Sequence, residues 1–124
     1  MNKPITPVAH GIIDYVFSGV QMALPALLGL NSATTKTYAA LGTGFTAVNA
    51  LTDTPVGIRK LIPFTGHQKA DLGFLAGLGL LSLAGFIRKD KKALKFHLAF
   101  LGIAVTHYLL TDYKGERAEE YHWH

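Results

Sequence analysis

The chain has 124 residues, one domain's worth of material, of which 49% are apolar and only 16% charged, below the quarter usual in soluble domains. It contains no cysteine, which excludes disulfides and thiolate-held metals and leaves the redox compartment open. The formal charge of +4 and pI near 9.4 suit anionic lipid headgroups; the basic residues stand between apolar runs without aromatic interleaving, which argues against a nucleic-acid partner.

Of the 13 glycines, many fall inside apolar runs: Gly42, Gly44, Gly73, Gly77, Gly79 and Gly85. In a water-exposed helix each costs about 1 kcal/mol relative to Ala, whereas in a bilayer small residues let helix backbones approach closely. With a mean hydropathy of +0.25, the composition points to an all-α bundle of four transmembrane helices in a single membrane domain, 1–124.

Met1 to Thr6 is a short polar lead, and Pro7 is a favourable first-turn residue. A first span is expected from about Val8 to Leu30. Asp14 interrupts what would be the apolar region of a signal peptide, so the segment reads as retained. Pro25 leaves the Gln21 carbonyl without its helical donor, and a bend is expected there. Asn31 to Thr35 reads as a tight loop with capping residues. A second span runs from about Thr34 to Asp53; its uncharged part, Thr37 to Thr52, is about 24 Å of helix, slightly short of a roughly 30 Å hydrocarbon core. The connection from Thr54 to Thr65, with Arg59, Lys60 and Phe64, suits a segment lying along headgroups. The third span is His67 to Ile87, whose residues from Leu72 onward carry no charge. Within it Gly73-x3-Gly77 offers a small-residue packing face. Arg88 to Lys92 is a basic turn. The fourth span covers about Ala93 to Asp112, and Tyr113 to His124 reads as a polar, mobile tail.

The chain also looks like one unit written twice, at about 7–57 and 66–115. A shift of 57 residues places His10 on His67, Asp14 on Asp71 and Phe17 on Phe74, and also Leu41 on Leu98, Ala47 on Ala104 and Val48 on Val105. Two extra residues then bring Leu51-Thr52-Asp53 onto Leu110-Thr111-Asp112. Two hairpins of equal orientation imply a pseudo-two-fold axis along the membrane normal, with the ionisable residues gathered at one end.

At i and i+4 two side chains share a helix face. His10 with Asp14, His67 with Asp71, Asn49 with Asp53 and Tyr108 with Asp112 have that spacing, and His107 lies towards the same end. The histidines sit at helix N-termini and Asp53 and Asp112 at C-termini, each on the unfavourable end of its own helix dipole. Cross-helix contacts between the His pair and the terminal aspartates are therefore expected, with Asp14 and Asp71 behind them. His97 is expected to cap or snorkel beside Lys95 at the other end. His107 either joins the cluster or bonds a backbone carbonyl. Thr52 and Thr111 read as residues bonding back to their own helix. His122 and His124 flank Trp123 and resemble an adventitious metal binder, with an interfacial tail as the preferred reading.

Four uses of the cluster stay open. It can serve as hydrogen-bonded fasteners that fix helix register; as a His/Asp relay for protons or ions; as a site for a divalent metal, zinc or manganese before copper, on His10 and His67; or as a haem site with those two histidines as axial ligands. No nucleophile–base pair, phosphate loop or soluble-cofactor motif is present, and the sequence requires no cofactor, so the leading use is non-enzymatic. The expected partner is the lipid bilayer, with self-association into a homo-oligomer left open. Basic residues divide six against six between the two sides of such a bundle, so the positive-inside rule gives no orientation; the dense 88–95 segment leans cytoplasmic.

The segments Asp14…Leu24-Pro-Ala-Leu-Leu-Gly29 and Asp71…Ser82-Leu-Ala-Gly85-Phe86 resemble the SPW-repeat type of small bacterial integral-membrane proteins. Each pairs an acidic residue opening a first helix with a small or Pro-containing motif ending in Gly. The resemblance implies a multi-pass bundle in the bacterial inner membrane and no established activity.

Overall fold

A computed structural model describes residues 3–114. Among these the regular elements are all helical: α1 (Pro7–Leu27), α2 (Ser32–Ala50), α3 (Phe64–Leu81), the single turn α4 (Gly85–Arg88) and α5 (Lys91–Leu110). The expected His122, Trp123 and His124 tail lies outside the described residues.

The helix ends follow from local chemistry. Thr6 caps α1 by accepting from the Ala9 amide, and Pro7 occupies its first turn, where no amide donor is needed. Pro25 stands inside the helix, which ends two residues later at Leu27. Gly29, at φ +68°, closes α1: its amide donates to Ala26 O at 3.0 Å and the Leu30 amide to Pro25 O at 3.0 Å, a paired termination that a left-handed glycine permits. Asn31 and Asp90 cap α2 and α5. They also meet each other, Asn31 Nδ2 donating to Asp90 Oδ2 at 2.9 Å.

The third helix departs from the expected His67–Ile87 span. It begins at Phe64, stops at Leu81, and is followed by a break before α4. Ser82 and His97 both turn towards the Leu78 carbonyl: Ser82 Oγ donates at 3.3 Å and His97 Nε2 donates at 3.0 Å. His97 is thus no surface cap. It is fully buried, and its Nδ1 accepts from Tyr38 Oη at 2.6 Å. Tyr38 and Leu78 belong in turn to the apolar core with Ile87, Ala93, Phe100 and Ala104.

The close approach of backbones also differs from expectation. An added Cβ at Gly73 or Gly77 would meet nothing within 4 Å, so that pair forms no packing face among the described residues. One at Gly42 would lie 3.0 Å from the Ser18 carbonyl oxygen and 2.8 Å from Met22 Cγ. Gly42 is what lets α1 lie tightly along α2, the most extensive helix interface in the molecule.

Polarity is distributed with polar residues inside. Asp14, Gln21, Thr34 and His97 are 0% exposed, while Val16 is 59%, Leu80 71% and Leu109 60% exposed. By length and composition α5, of 20 residues, is the one described helix long and apolar enough to cross a membrane; α1, α2 and α3, where four spans were expected, are not apolar enough by that measure.

Replacing Gly42 by Ile is expected to destabilise the protein by about 1–3 kcal/mol through overpacking. The same change at Gly77 should stay within about 0.5 kcal/mol. Thermal unfolding of the two variants side by side checks this.

Candidate functional site

Two short parallel bridges prepare the polar end. Ile62 pairs with Thr52 and Ile5 with Thr111. The Ile62 amide donates to Leu51 O at 2.8 Å and the Asp53 amide to Ile62 O at 2.7 Å; in the same way the Ile5 amide donates to Leu110 O at 3.1 Å and the Asp112 amide to Ile5 O at 2.8 Å. These bonds fix the threonines beneath the two histidines of α1 and α3.

Each threonine does two things. Thr111 Oγ1 donates to His107 O at 2.6 Å, and Thr52 Oγ1 donates to Val48 O at 2.6 Å, the back-bonding expected from sequence. The same oxygens lie 2.7 Å from His10 Nδ1 and 2.8 Å from His67 Nδ1. A hydroxyl carries one hydrogen, and in both residues it is committed to the carbonyl. The imidazoles therefore donate, so Nδ1 bears the proton in His10 and in His67.

Their Nε2 atoms face two carboxylates. His67 Nε2 is 2.8 Å from Asp14 Oδ2 and 3.3 Å from Asp71 Oδ1. His10 Nε2 is 3.0 Å from Asp14 Oδ2 and 2.9 Å from Asp71 Oδ2. All four residues are buried, and one ligand atom from each falls within 4.8 Å of the others. The contacts are close without being well directed. His10 Nε2 and Asp71 Oδ1 each lack a properly aimed hydrogen bond. A buried ring nitrogen and a buried carboxylate oxygen left in that state carry a penalty of about 1–3 kcal/mol or more each.

Outside these four residues the symmetry ends. His107 Nε2 donates to Asp14 Oδ1 at 3.0 Å and stacks on the His10 ring with centroids 4.0 Å apart. Tyr113 Oη donates to Asp71 Oδ2 at 2.6 Å. Burial, and then the negative charge of Asp71, push the Tyr113 phenol well above the ordinary tyrosine range.

Of the residues singled out from sequence, the structure brings together His10, Asp14, His67, Asp71 and His107. Asn49 instead donates to the Gly11 carbonyl at 2.8 Å, and Tyr108 accepts from Gln68 at 3.4 Å. The expected partnership of the histidines with Asp53 and Asp112 is replaced by one with Thr52 and Thr111, their neighbours in sequence. At the end of a helix one residue's step turns the side chain to another face, and the bridges select the threonine. Sequence reasoning missed Tyr113, which was assigned to the tail; an aromatic with a hydroxyl directly after Asp112 was the available signal.

Haem does not fit. Asp14 Oδ2 sits between the two Nε2 atoms, the rings meet edge to face with centroids 5.1 Å apart, and the void beside the cluster is about 10 Å³, room for one water-sized body. A small cation suits the donor set: two imidazole nitrogens and two carboxylate oxygens match the four-coordinate preference of zinc.

No family model matches the chain, and no match was found among curated proteins or solved structures.

Removing the Tyr113 hydroxyl (Tyr113→Phe) is expected to lower stability at neutral pH by about 1–3 kcal/mol. Because the folded phenol titrates above the unfolded one, its contribution is complete below the ordinary tyrosine pKa of about 10 and is lost as pH rises beyond it. The wild type should therefore lose stability at alkaline pH more steeply than the variant, as read by unfolding midpoints across that range.

Proposed function

We propose that this protein is a helical membrane bundle whose buried centre, His10, Asp14, His67 and Asp71, binds one divalent transition-metal ion, zinc foremost, and so fastens two repeated hairpins together. The observation that carries the reading is the threonine-fixed tautomer. With Nδ1 protonated in both rings, both Nε2 lone pairs converge on the carboxylates, an arrangement that repels itself unless a cation or additional protons stand between them. Metal-bound histidines characteristically donate their other ring nitrogen to an orienting oxygen, as these two do to Thr111 and Thr52.

Bond lengths of about 2.0 Å to nitrogen and oxygen require tetrahedral edges of roughly 3.3 Å by geometry. One ligand atom from each of the four residues lies within 4.8 Å of the others, and the imidazole–carboxylate separations are 2.8–3.3 Å, the scale of such a centre. Two neutral imidazoles, two carboxylates and a dication sum to zero charge, which a low-dielectric surrounding favours. Four protein ligands fill a tetrahedron, so the centre is closed and structural in kind, without the open position that catalytic zinc keeps.

The membrane setting draws support from apolar side chains on the outside and polar ones within. Helices of 18 to 21 residues are about 27–32 Å long, comparable to a hydrocarbon core of roughly 30 Å. Four spans are therefore proposed, with α4 as part of the turn. The repeat draws support from contacts that occur in pairs: His10–Thr111 with His67–Thr52, His10–Asp71 with His67–Asp14, and the two bridges.

A second reading has the same geometry behind it. If protons rather than a metal ion separate the Nε2 atoms from the carboxylates, the two imidazolium ions again balance two carboxylates, and the cluster is a proton-handling site.

Elemental analysis of detergent-purified protein separates the two. The metal reading expects one zinc or manganese per chain, lost in His10→Ala, and an affinity lowered about 10–100-fold in Thr111→Val, which keeps every ligand and removes one orienting oxygen. Metal-free protein that carries proton current in liposomes, abolished by Asp14→Asn with Asp71→Asn, establishes the second reading instead.

A further inference from the structure

Positive charge is answered unequally at the two ends of the bundle. The end where α2 and α5 begin carries Lys36, Arg88, Lys89, Lys91, Lys92 and Lys95, all exposed. Among the described residues Asp90 is the one carboxylate there, and both its oxygens are already engaged. Oδ1 accepts from the Lys92 and Ala93 amides at 3.0 and 3.2 Å, and Oδ2 accepts from Asn31 Nδ2 at 2.9 Å. The opposite end sets four carboxylates, Asp14, Asp53, Asp71 and Asp112, among its basic residues. Equal numbers of Lys and Arg therefore conceal a difference in net charge.

Lys91 and Lys92 open α5, whose first turn holds no acidic residue. That is the positive end of the helix dipole, where a cation is unfavourable and an anion favourable. An external anion would satisfy the lysines and the dipole together. Apolar surface lies at the same level: Leu27, the last residue of α1, is 79% exposed, Leu80 in the last turn of α3 71%, and Leu83 just beyond it 70%. Lys92 reaches the α1–α2 turn, its Nζ 3.9 Å from where a Cβ on Gly29 would stand. Long basic side chains lay their stems along apolar surface and send their charge to the headgroup layer. A soluble polyanion would answer the charge and leave the leucines in water.

We propose that this end of the bundle docks onto anionic phospholipid headgroups, its cations meeting the phosphates and its leucines the acyl layer beneath. The His/Asp centre is thereby turned towards the leaflet poorer in anionic lipid. The inference rests on the membrane setting proposed above and is independent of what occupies the centre.

The test is the association of chain-spin-labelled phosphatidylglycerol and phosphatidylcholine with the full chain in phosphatidylcholine vesicles, read by electron paramagnetic resonance. Phosphatidylglycerol is expected to be held about fivefold or more strongly at low salt, the scale of a single basic residue at an anionic surface. The preference should fall towards parity near about 1 M salt, where exposed charges are screened. Lys89→Gln, Lys91→Gln, Lys92→Gln and Lys95→Gln combined should abolish it, and each change alone should lower it in part. Arg59→Gln, Lys69→Gln and Lys114→Gln combined, at the other end, should leave it unchanged. Equal association of the two lipids, loss in the second variant in place of the first, or displacement of the lipid by a duplex oligonucleotide would each overturn the proposal. Flotation separates this from a failure of the membrane setting. Protein that stays with the vesicles through alkaline carbonate and shows no headgroup preference sinks the docking alone, whereas protein released by carbonate sinks both.

Discussion

A threonine hydroxyl has a single hydrogen, and the polar end of this protein is built on where that hydrogen goes. Once Thr52 and Thr111 give theirs to carbonyls of their own helices, the histidines above them have no choice of tautomer. Two ring nitrogens with lone pairs then face two carboxylates in a buried place, and some positive species has to mediate. The requirement is set by backbone geometry several residues away from the charged groups. The local bridges at Ile5 and Ile62 matter because they hold the threonines in position.

The same device appears in different form at His97. There Nε2 gives its hydrogen to the Leu78 carbonyl, and Nδ1 accepts from Tyr38. Every capacity of that ring is met by neutral partners, and no carboxylate is nearby in the contacts it makes. His97 therefore serves as a fastener of α2, α3 and α5, whereas the ring pair at the other end faces two carboxylates. Two buried histidine sites in one bundle differ in role because their second nitrogens meet different chemistry.

Much of this was legible in the chain. The spacing of His10 to Asp14 and of His67 to Asp71 placed each pair on one helix face, and the recurrence of the pair put them at one end. Asn31 and Pro7 marked helix starts by ordinary capping chemistry. What the sequence did not carry was rotation and partner choice. Asp53 and Asp112 looked like natural mates for the histidines because opposite charges attract, yet the backbone bridges turned the neighbouring threonines inward. The glycine pair in α3 looked like a packing face, but spacing alone does not tell which way a helix is turned; Gly42 makes the close approach instead. The third span is shorter than its uncharged run suggests, because absence of charge does not mark where a helix stops; the break follows Leu81, where Ser82 and His97 both meet the Leu78 carbonyl.

The bond between the two helix caps, Asn31 to Asp90, bears on how the molecule can move. It lies at the end of the helices remote from His10 and His67, so the hairpins are joined at both extremities of their common length. With the Tyr38–His97 bond between the two ends, the hairpins are held along their common length, and they cannot splay apart or slide without breaking several buried hydrogen bonds together.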